Sequence, residues 1–242
     1  MDRPIKVAIS IPNEGHVGPE AYDNRLLFAF HLGKLEAQYP GKYEFYWSSV
    51  GRVLTPLARE RLTEYALDGG ADLILMIDDD MIIPVDMFER LHQTMLDENA
   101  DLVAPLAFMR NGPHYPVIYR VTEGYDPLMH KHFFERHIVK NYPKDSVVEC
   151  DAVGFGSALF KTDFVRKMKK PWFMSTTGAG EDVWFCYCAK KEAKIKIVMD
   201  TRIKLGHVGN PQIVTEEVYE RTNDVGNLRS VYGDAKKELV NA

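Results

Sequence analysis

The chain has 242 residues, of which 45% are hydrophobic and 27% are charged, and this composition is typical of a soluble globular protein. Thirty Lys and Arg residues against 35 Asp and Glu residues give a net charge of −5, so the chain lacks the positive excess that favours nucleic-acid binding. Every apolar run in the sequence is much shorter than the ~20 residues that a membrane-spanning helix needs. We therefore expect neither nucleic acid as the main partner nor a transmembrane segment.

The cysteines favour a reducing compartment. There are three of them, Cys150, Cys186 and Cys188, which is an odd number, and the only close pair has the spacing C-x-C. This pattern is typical neither of a disulfide framework nor of a zinc site with paired cysteines. We expect a cytoplasmic protein.

Hydrophobic periodicity predicts alternating strands and helices in the first 105 residues. Apolar, β-branched runs predict strands, and apolar residues at helical spacing followed by Pro or Gly predict helices. The predicted strands cover residues 5–11, 43–49, 72–77 and 101–105, and the predicted helices cover residues 21–38, 54–67 and 84–96. This alternation is typical of a parallel sheet covered by helices, whose ligand sites lie beyond the carboxyl ends of the strands.

The second half of the chain is less regular. Residues 106–149 are rich in Pro, Tyr, His and charged residues, which predicts strands or loops over one end of the sheet, facing the substrate. The elements predicted after this insert are a strand within residues 151–160, helices over residues 162–168 and 181–192, and a strand over residues 195–199.

We predict one domain over residues 1–209, with two halves, residues 1–105 and residues 106–209. Residues 210–242 mix both charges with few large apolar groups. This composition predicts a peripheral helix or a mobile tail, which could act as a lid.

Three consecutive carboxylates, Asp78, Asp79 and Asp80, follow the strand predicted over residues 72–77. In an extended backbone Asp78 and Asp80 point to one side and Asp79 points to the other. Two carboxylates in one small space can recruit a divalent cation such as Mn²⁺ or Mg²⁺. Alternatively, these residues only make a loop soluble or cap the helix that begins near Pro84.

The order of the motifs resembles the GT-A fold of nucleotide-sugar glycosyltransferases, especially glycosyltransferase family 2. The segments that carry the resemblance are Pro12-Asn13-Glu14 after the first strand, Arg59 in a helix, the acidic triplet, the glycine-containing strand that begins Gly154-Phe155-Gly156, Glu181-Asp182-Val183-Trp184-Phe185-Cys186, and Leu205-Gly206-His207. The resemblance covers residues 5–209. It implies a Rossmann-like αβα sandwich with a mostly parallel central sheet and a smaller acceptor-side region of strands and loops. Residues 1–105 would then be the nucleotide-binding half and residues 106–209 the acceptor-binding half.

The resemblance also implies an activity, the transfer of one sugar from a UDP- or GDP-sugar to a hydroxyl group of an unidentified acceptor, and roles for individual residues. It makes Asp182 the general base of an inverting reaction. The ligands of Mn²⁺ or Mg²⁺ would be Asp78, Asp80 and His207. The donor would be bound by Pro12, Glu14, Arg59, Asp78 and Asp79, and the acceptor by Gly154, Phe155, Gly156, Glu181 and Trp184.

Most of these roles have a simpler structural alternative. A lone histidine such as His207 is usually structural, and an acidic residue in the first turn of a helix, such as Asp182, often only interacts with the helix dipole. Arg59 could be a solvated helix charge, and Trp184 could belong to the core.

Other functions stay open as well. A retaining GT-A enzyme would use a similar acidic pair with a late histidine, and a protein that binds a nucleotide sugar without catalysis would keep the same fold. A nucleotidyltransferase would usually have a glycine-rich phosphate loop after the first strand, which is lacking here. The absence of the Q-x-x-R-W signature and of transmembrane helices argues against a processive polysaccharide synthase.

Overall fold

The computed structural model describes residues 3–13, 15, 17–126, 130–176, 178–209 and 213–223. The strands are β1 (Ile5–Asn13), β2 (Tyr43–Gly51), β3 (Leu73–Ile77), β4 (Met81–Ile82), β5 (Leu102–Leu106), β6 (Ile118–Asp126), β7 (Lys131–Ile138), β8 (Val147–Glu149), β9 (Ala152–Val153), β10 (Ser157–Lys161), β11 (Ile197–Lys204), β12 (Gly206–Val208) and β13 (Ile213–Val214). The helices are α1 (Pro19–Gln38), α2 (Thr55–Asp68), α3 (Met87–Asp97), α4 (Thr162–Val165), α5 (Glu181–Ala193) and α6 (Glu216–Asn223).

The centre of the molecule is a seven-stranded sheet with the strand order β2-β1-β3-β10-β5-β11-β8. Strands β2, β1, β3, β5 and β11 run in one direction, whereas β10 and β8 are antiparallel to their neighbours. The predicted fold class, an α/β sandwich around a mostly parallel sheet, is confirmed.

Helices cover both faces of this sheet because successive strand residues point to opposite sides. On one face Ala8 of β1 belongs to the same buried cluster as Leu62 of α2 and Phe185 of α5. On the other face Val7 of β1 packs in a second cluster with Phe28 of α1, and α3 contributes to that cluster too. The near-continuous apolar runs of the central strands follow from burial on both faces.

Most predicted elements are present, with differences at their ends, but the single strand predicted within residues 151–160 is two strands, β9 and β10, in different sheets. The helix predicted from residue 84 begins at Met87, because a turn in which the Met87 N–H donates to the Pro84 carbonyl precedes it (3.1 Å). The strand predicted over residues 195–199 is Ile197–Lys204, since it pairs with β5 on one side and β8 on the other. No helix in the described part of the chain is both long and apolar enough to cross a membrane.

The segment predicted as a substrate-facing insert contains the hairpin of β6 and β7, which forms a small sheet with β9. A second small sheet joins β4, β12 and β13. It places His207 of β12 beside Met81 of β4, which directly follows the acidic triplet. Two segments more than 120 residues apart are thereby brought together at the end of β3.

Part of the predicted tail belongs to the folded domain. Val214 and Val218 are buried in the core, and the ring of Tyr219 in α6 stacks on Phe108 with 4.9 Å between the ring centres. The hydroxyl of Tyr142 donates to a carboxylate oxygen of Glu216 (2.9 Å). The domain therefore extends through residue 223, beyond the predicted boundary at 209, whereas the lid prediction for residues 224–242 lies outside the described residues.

Candidate functional site

The acidic triplet lies in a turn at the carboxyl end of β3. The Asp78 N–H donates to the Gly156 carbonyl (3.0 Å), and the Met81 N–H donates to the Asp78 carbonyl (3.4 Å). The prediction of an extended backbone here is wrong, because the strand ends at Ile77 and the chain then turns. The side chains of Asp78 and Asp80 nevertheless line the same two pockets.

Helix α1 fixes this turn from one side. The guanidinium of Arg25 donates to the Asp79 carbonyl (2.7 Å). The side chain of Asn24 donates to the Ile83 carbonyl (2.9 Å) and accepts a hydrogen bond from the Ile83 N–H (2.8 Å). Satisfying these backbone groups limits the freedom of the turn that presents the carboxylates.

Arg59 links the acidic turn to the start of α5. Its Nη2 donates to both carboxylate oxygens of Asp78 (2.7 and 2.9 Å), and its Nη1 donates to Oε1 of Glu181 (2.8 Å). The guanidinium carbon lies 5.5 Å from the centre of the Phe155 ring. Because the side chain is only 3% exposed, the alternative of a solvated helix charge is wrong.

Burial and the charges of neighbouring groups shift the pKa values of Asp78 and Arg59 in opposite directions. Burial raises the pKa of Asp78 to about 6, although the charge and hydrogen bonds of Arg59 oppose this shift. Burial alone would lower the pKa of Arg59, but the charges of Asp78 and Glu181 keep it above its ordinary value. One permanent cation is therefore shared by two carboxylates.

A second polar group joins Asp80, His207 and Arg110. Oδ2 of Asp80 lies 3.0 Å from Nε2 of His207 and accepts a hydrogen bond from Nη1 of Arg110 (3.1 Å). Nδ1 of His207 lies 2.7 Å from the carbonyl oxygen of Phe108. Since a carbonyl oxygen only accepts hydrogen bonds, Nδ1 carries a proton, and Nε2 is the nitrogen that could bind a metal ion.

The pKa of Asp80 is lowered and the pKa of His207 is raised. Burial would raise the pKa of Asp80, but the hydrogen bond and charge of His207 and the charge of Arg110 hold it below its ordinary value. Burial would lower the pKa of His207, yet its bond to Asp80 raises it. The carboxylate is thus the stable form of Asp80.

Two of the three predicted metal ligands, Asp80 and His207, lie together, while Asp78 is bound by Arg59. Across the residues that the structure describes, no three His, Cys, Asp or Glu side chains are grouped closely enough to hold a metal ion. The donor set still fits a divalent ion, because the backbone carbonyl orients His207 as in metal sites. Mg²⁺ and ions like it commonly use one or two protein carboxylates together with substrate phosphates.

A pocket of about 480 Å³ opens beyond the carboxyl ends of β3 and β5. Asp80 and His207 form one part of its wall, and Asp182, at the start of α5, forms another. The rest of the wall consists of Asp78, Met81, Ala107, Phe108, Met109, Arg110, Asn111, Gly112, Val117, Tyr119, Arg136, Gly154, Phe155 and Gly156.

A smaller pocket of about 70 Å³ adjoins the acidic turn. It is lined by Pro12, Asn13, Val53, Thr55, Ala58, Asp78, Asp79 and Asp80. Three of the predicted donor-binding residues, Pro12, Asp78 and Asp79, therefore line this smaller pocket. Glu14 lies outside the described residues.

Asp182 is the predicted base, and its carboxylate is held by the backbone. Oδ1 accepts a hydrogen bond from the Val183 N–H (2.7 Å), and Oδ2 accepts one from the Phe155 N–H (3.4 Å). Burial raises the pKa of Asp182, while the charge of Arg59 opposes the shift. A carboxylate with a raised pKa is a stronger base than an exposed aspartate.

The predicted acceptor residues do not all reach the larger pocket. Gly154, Phe155 and Gly156 line it. The carboxylate of Glu181 is instead bound by Arg59. The ring of Trp184 packs near Phe134, at a distance of 5.9 Å between ring centres, as the core-packing alternative expects.

Gly154 and Gly156 are needed for close packing in the pocket wall. A Cβ atom on Gly154 would lie 2.7 Å from the Cβ of Val117, and one on Gly156 would lie 3.2 Å from the sulfur of Met81. The first distance is well below van der Waals contact, so any side chain at residue 154 would displace β6 or its preceding residues.

We expect Gly154→Ala to lower the free energy of unfolding by about 1–3 kcal/mol, because the new methyl group overpacks the site. Urea denaturation of the purified variant measures this loss. Combining it with Val117→Gly removes the Cβ atom with which the new methyl group clashes, so the double variant should lose less stability than the two single variants together. An unchanged denaturation midpoint in the single variant would contradict the packing described here.

Sequence reasoning missed much of the wall of the larger pocket, including three residues that can donate hydrogen bonds, Arg110, Tyr119 and Arg136. Arg110 follows β5, and its position beyond the carboxyl end of a parallel strand could have revealed it. The other two come from the hairpin of β6 and β7, where the guanidinium carbon of Arg136 lies 5.3 Å from the centre of the Tyr119 ring. No local pattern marks them, because the hairpin is placed by its pairing with β9.

The chain matches no protein-family model and no curated protein sequence. Its fold is similar to that of a solved structure, the crystal structure of A197 from STIV, with a TM-score of 0.54 and 19% sequence identity. The match covers 84% of this chain and 85% of A197. At this identity the similarity shows a shared fold and does not assign an activity.

Proposed function

We propose that the protein is a metal-dependent glycosyltransferase that moves one sugar from a nucleotide diphosphate sugar to an acceptor hydroxyl group. The observation that carries this proposal is the larger pocket, which combines an Asp80–His207 pair with a separate backbone-held carboxylate, Asp182. A transferase needs both parts, one group of residues for the leaving diphosphate and one base for the attacking hydroxyl.

Asp80 and Nε2 of His207 would hold Mn²⁺ or Mg²⁺, with Mn²⁺ favoured by the nitrogen ligand. When bound, the ion supplies positive charge that stabilises the diphosphate as the bond to the sugar breaks. Arg59 holds Asp78 in place beside this group. The smaller pocket, lined by Pro12 and Asp79, would receive part of the nucleoside of a UDP- or GDP-sugar.

Asp182 would accept the proton of the acceptor hydroxyl as its oxygen attacks the anomeric carbon. The N–H groups of Val183 and Phe155 orient the carboxylate for this transfer. Because the larger pocket contains both Asp182 and the Asp80–His207 pair, the base and the leaving group can lie on different sides of the sugar. Such an arrangement supports inversion of the anomeric configuration.

Calorimetric titration with UDP, GDP, CMP and their sugar conjugates, in Mn²⁺ or in EDTA, tests the donor site. We expect one nucleoside diphosphate to bind in Mn²⁺ and to lose its affinity in EDTA. In Asp80→Asn the affinity should fall at least about 10-fold, because the ion loses its carboxylate ligand and even the loss of a group that only orients a metal ligand has an effect of this size.

The matched control is Asp86→Asn, which changes an aspartate that is 53% exposed and lies outside both pockets. This variant should bind the nucleotide as the unmodified protein does. Equal binding in Mn²⁺ and EDTA would contradict a metal-dependent donor site, and the absence of binding by every nucleotide would contradict the donor site itself.

A further inference from the structure

The outward face of α1 carries large apolar side chains that no described element covers. Tyr22, Leu26, Leu27 and Phe30 are 55%, 42%, 60% and 69% exposed. The opposite face of the same helix is buried in the core through Ala21, Phe28, Leu32 and Leu35. Helix α1 is therefore apolar on both sides, which is typical of a helix that is covered on both sides.

The size of this face suggests an interaction surface. Taking about 200 Å² for a large side chain, the four exposed residues present on the order of 400 Å² of apolar surface. This is the size of the largest apolar patch on a typical monomeric protein, about 300–600 Å², and such a patch is often functional. The face is also accessible to another helix, since a Cβ atom added to Gly33 would meet nothing within 4 Å.

The charges at the two ends of this apolar face indicate which kind of partner would bind to it. Asp23, Leu27, Phe30 and Lys34 follow one another at intervals of four, three and four residues, so they form one stripe along α1. All four are exposed. The stripe begins with a negative charge and ends with a positive one, about 16 Å further along the helix. Among the described residues, neither Asp23 nor Lys34 has an ion-pair partner.

We propose that two copies of this chain associate through α1, with the two helices antiparallel across a twofold axis. In this register Asp23 lies opposite Lys34 of the partner subunit, and Leu27 lies opposite Phe30 of the partner subunit. Both pairs fit a single antiparallel register, because in such a register the two residue numbers of every facing pair have the same sum. A twofold interface brings the same stripe together with itself, so it requires the self-complementary charge pattern seen here.

Light scattering coupled to size-exclusion chromatography measures the oligomeric state and so tests the proposal. The protein is used at about 100 µM, because an interface of this size is expected to dissociate in the micromolar range. The unmodified protein should be dimeric and Phe30→Glu monomeric. Asp23→Lys should weaken the dimer, because it places two lysines opposite each other. Combining Asp23→Lys with Lys34→Asp should restore the dimer.

The control is Tyr65→Glu, which changes a residue of α2 that is 53% exposed on the other face of the sheet. It should remain dimeric, and circular dichroism should show that all variants are folded. A monomeric unmodified protein, a Phe30→Glu variant that stays dimeric, or a double variant that stays as weak as Asp23→Lys would each overturn the proposal. Binding of phosphatidylcholine vesicles by a monomeric protein, lost in Phe30→Glu, would assign the face to a lipid surface instead.

Discussion

Replacing Asp182 with Asn is expected to lower the turnover of the nucleotide sugar about 10²- to 10⁴-fold, the usual contribution of a general base. Asn has nearly the same shape as Asp and keeps an oxygen that can accept the hydrogen bond of the Val183 N–H. It cannot take up the proton of a hydroxyl group. The affinity for the donor should therefore stay unchanged while the rate falls.

This prediction can be tested before the acceptor is identified. Water can replace the acceptor hydroxyl, so the release of nucleoside diphosphate from the donor found by calorimetry measures turnover. The matched control is Asp163→Asn, which changes an exposed aspartate in the first turn of α4. It tests the helix-dipole alternative, because Asp163 has the same place in its helix but lies outside the larger pocket.

The outcome separates the alternative functions. Equal turnover in Asp182→Asn and in the unmodified protein would contradict the role of Asp182 as the base. Metal-dependent binding without any turnover would favour a protein that binds a nucleotide sugar without catalysis. Proton NMR of the freshly released sugar should show the inverted anomer, and the retained anomer would contradict direct attack assisted by Asp182.

Replacing Arg59 with Met is expected to lower the free energy of unfolding by about 3–5 kcal/mol, measured by urea denaturation at neutral pH. The variant removes a buried cation and leaves the carboxylates of Asp78 and Glu181 without their common partner. Two negative charges would then lie close together in a partly desolvated place. Met fills much of the space of the arginine stem, so lost packing contributes little of this change.

Arg61→Met provides the control on the same helix, since Arg61 is exposed. Its stability should stay within about 0.5 kcal/mol of the unmodified protein, as for most surface substitutions. Adding Asp78→Asn to Arg59→Met removes one unpaired charge and should recover part of the loss. If Arg59→Met lowers the free energy of unfolding no more than Arg61→Met does, the buried ion pairs do not stabilise the fold.

The sequence by itself determined the fold class and the position of the acidic turn. Both depend on local patterns, because burial on two faces requires an apolar run such as Leu73–Ile77, and the polar triplet can only follow where that run ends. The helices α1 and α2 were equally clear, since turn residues mark their ends. Asp182 could be placed at the start of α5 because it follows a glycine-rich loop.

Only the tertiary structure decided which of these residues act together. From the sequence Arg59 could be either a donor-binding residue or a solvated helix charge, whereas in the structure it binds Asp78 and Glu181, which are 19 and 122 residues away in the chain. Arg110 and His207 reach Asp80 through the pairing of strands that are distant in sequence. The burial and the ion-pair partners of a charged residue depend on long-range packing. Local periodicity carries no information about that packing.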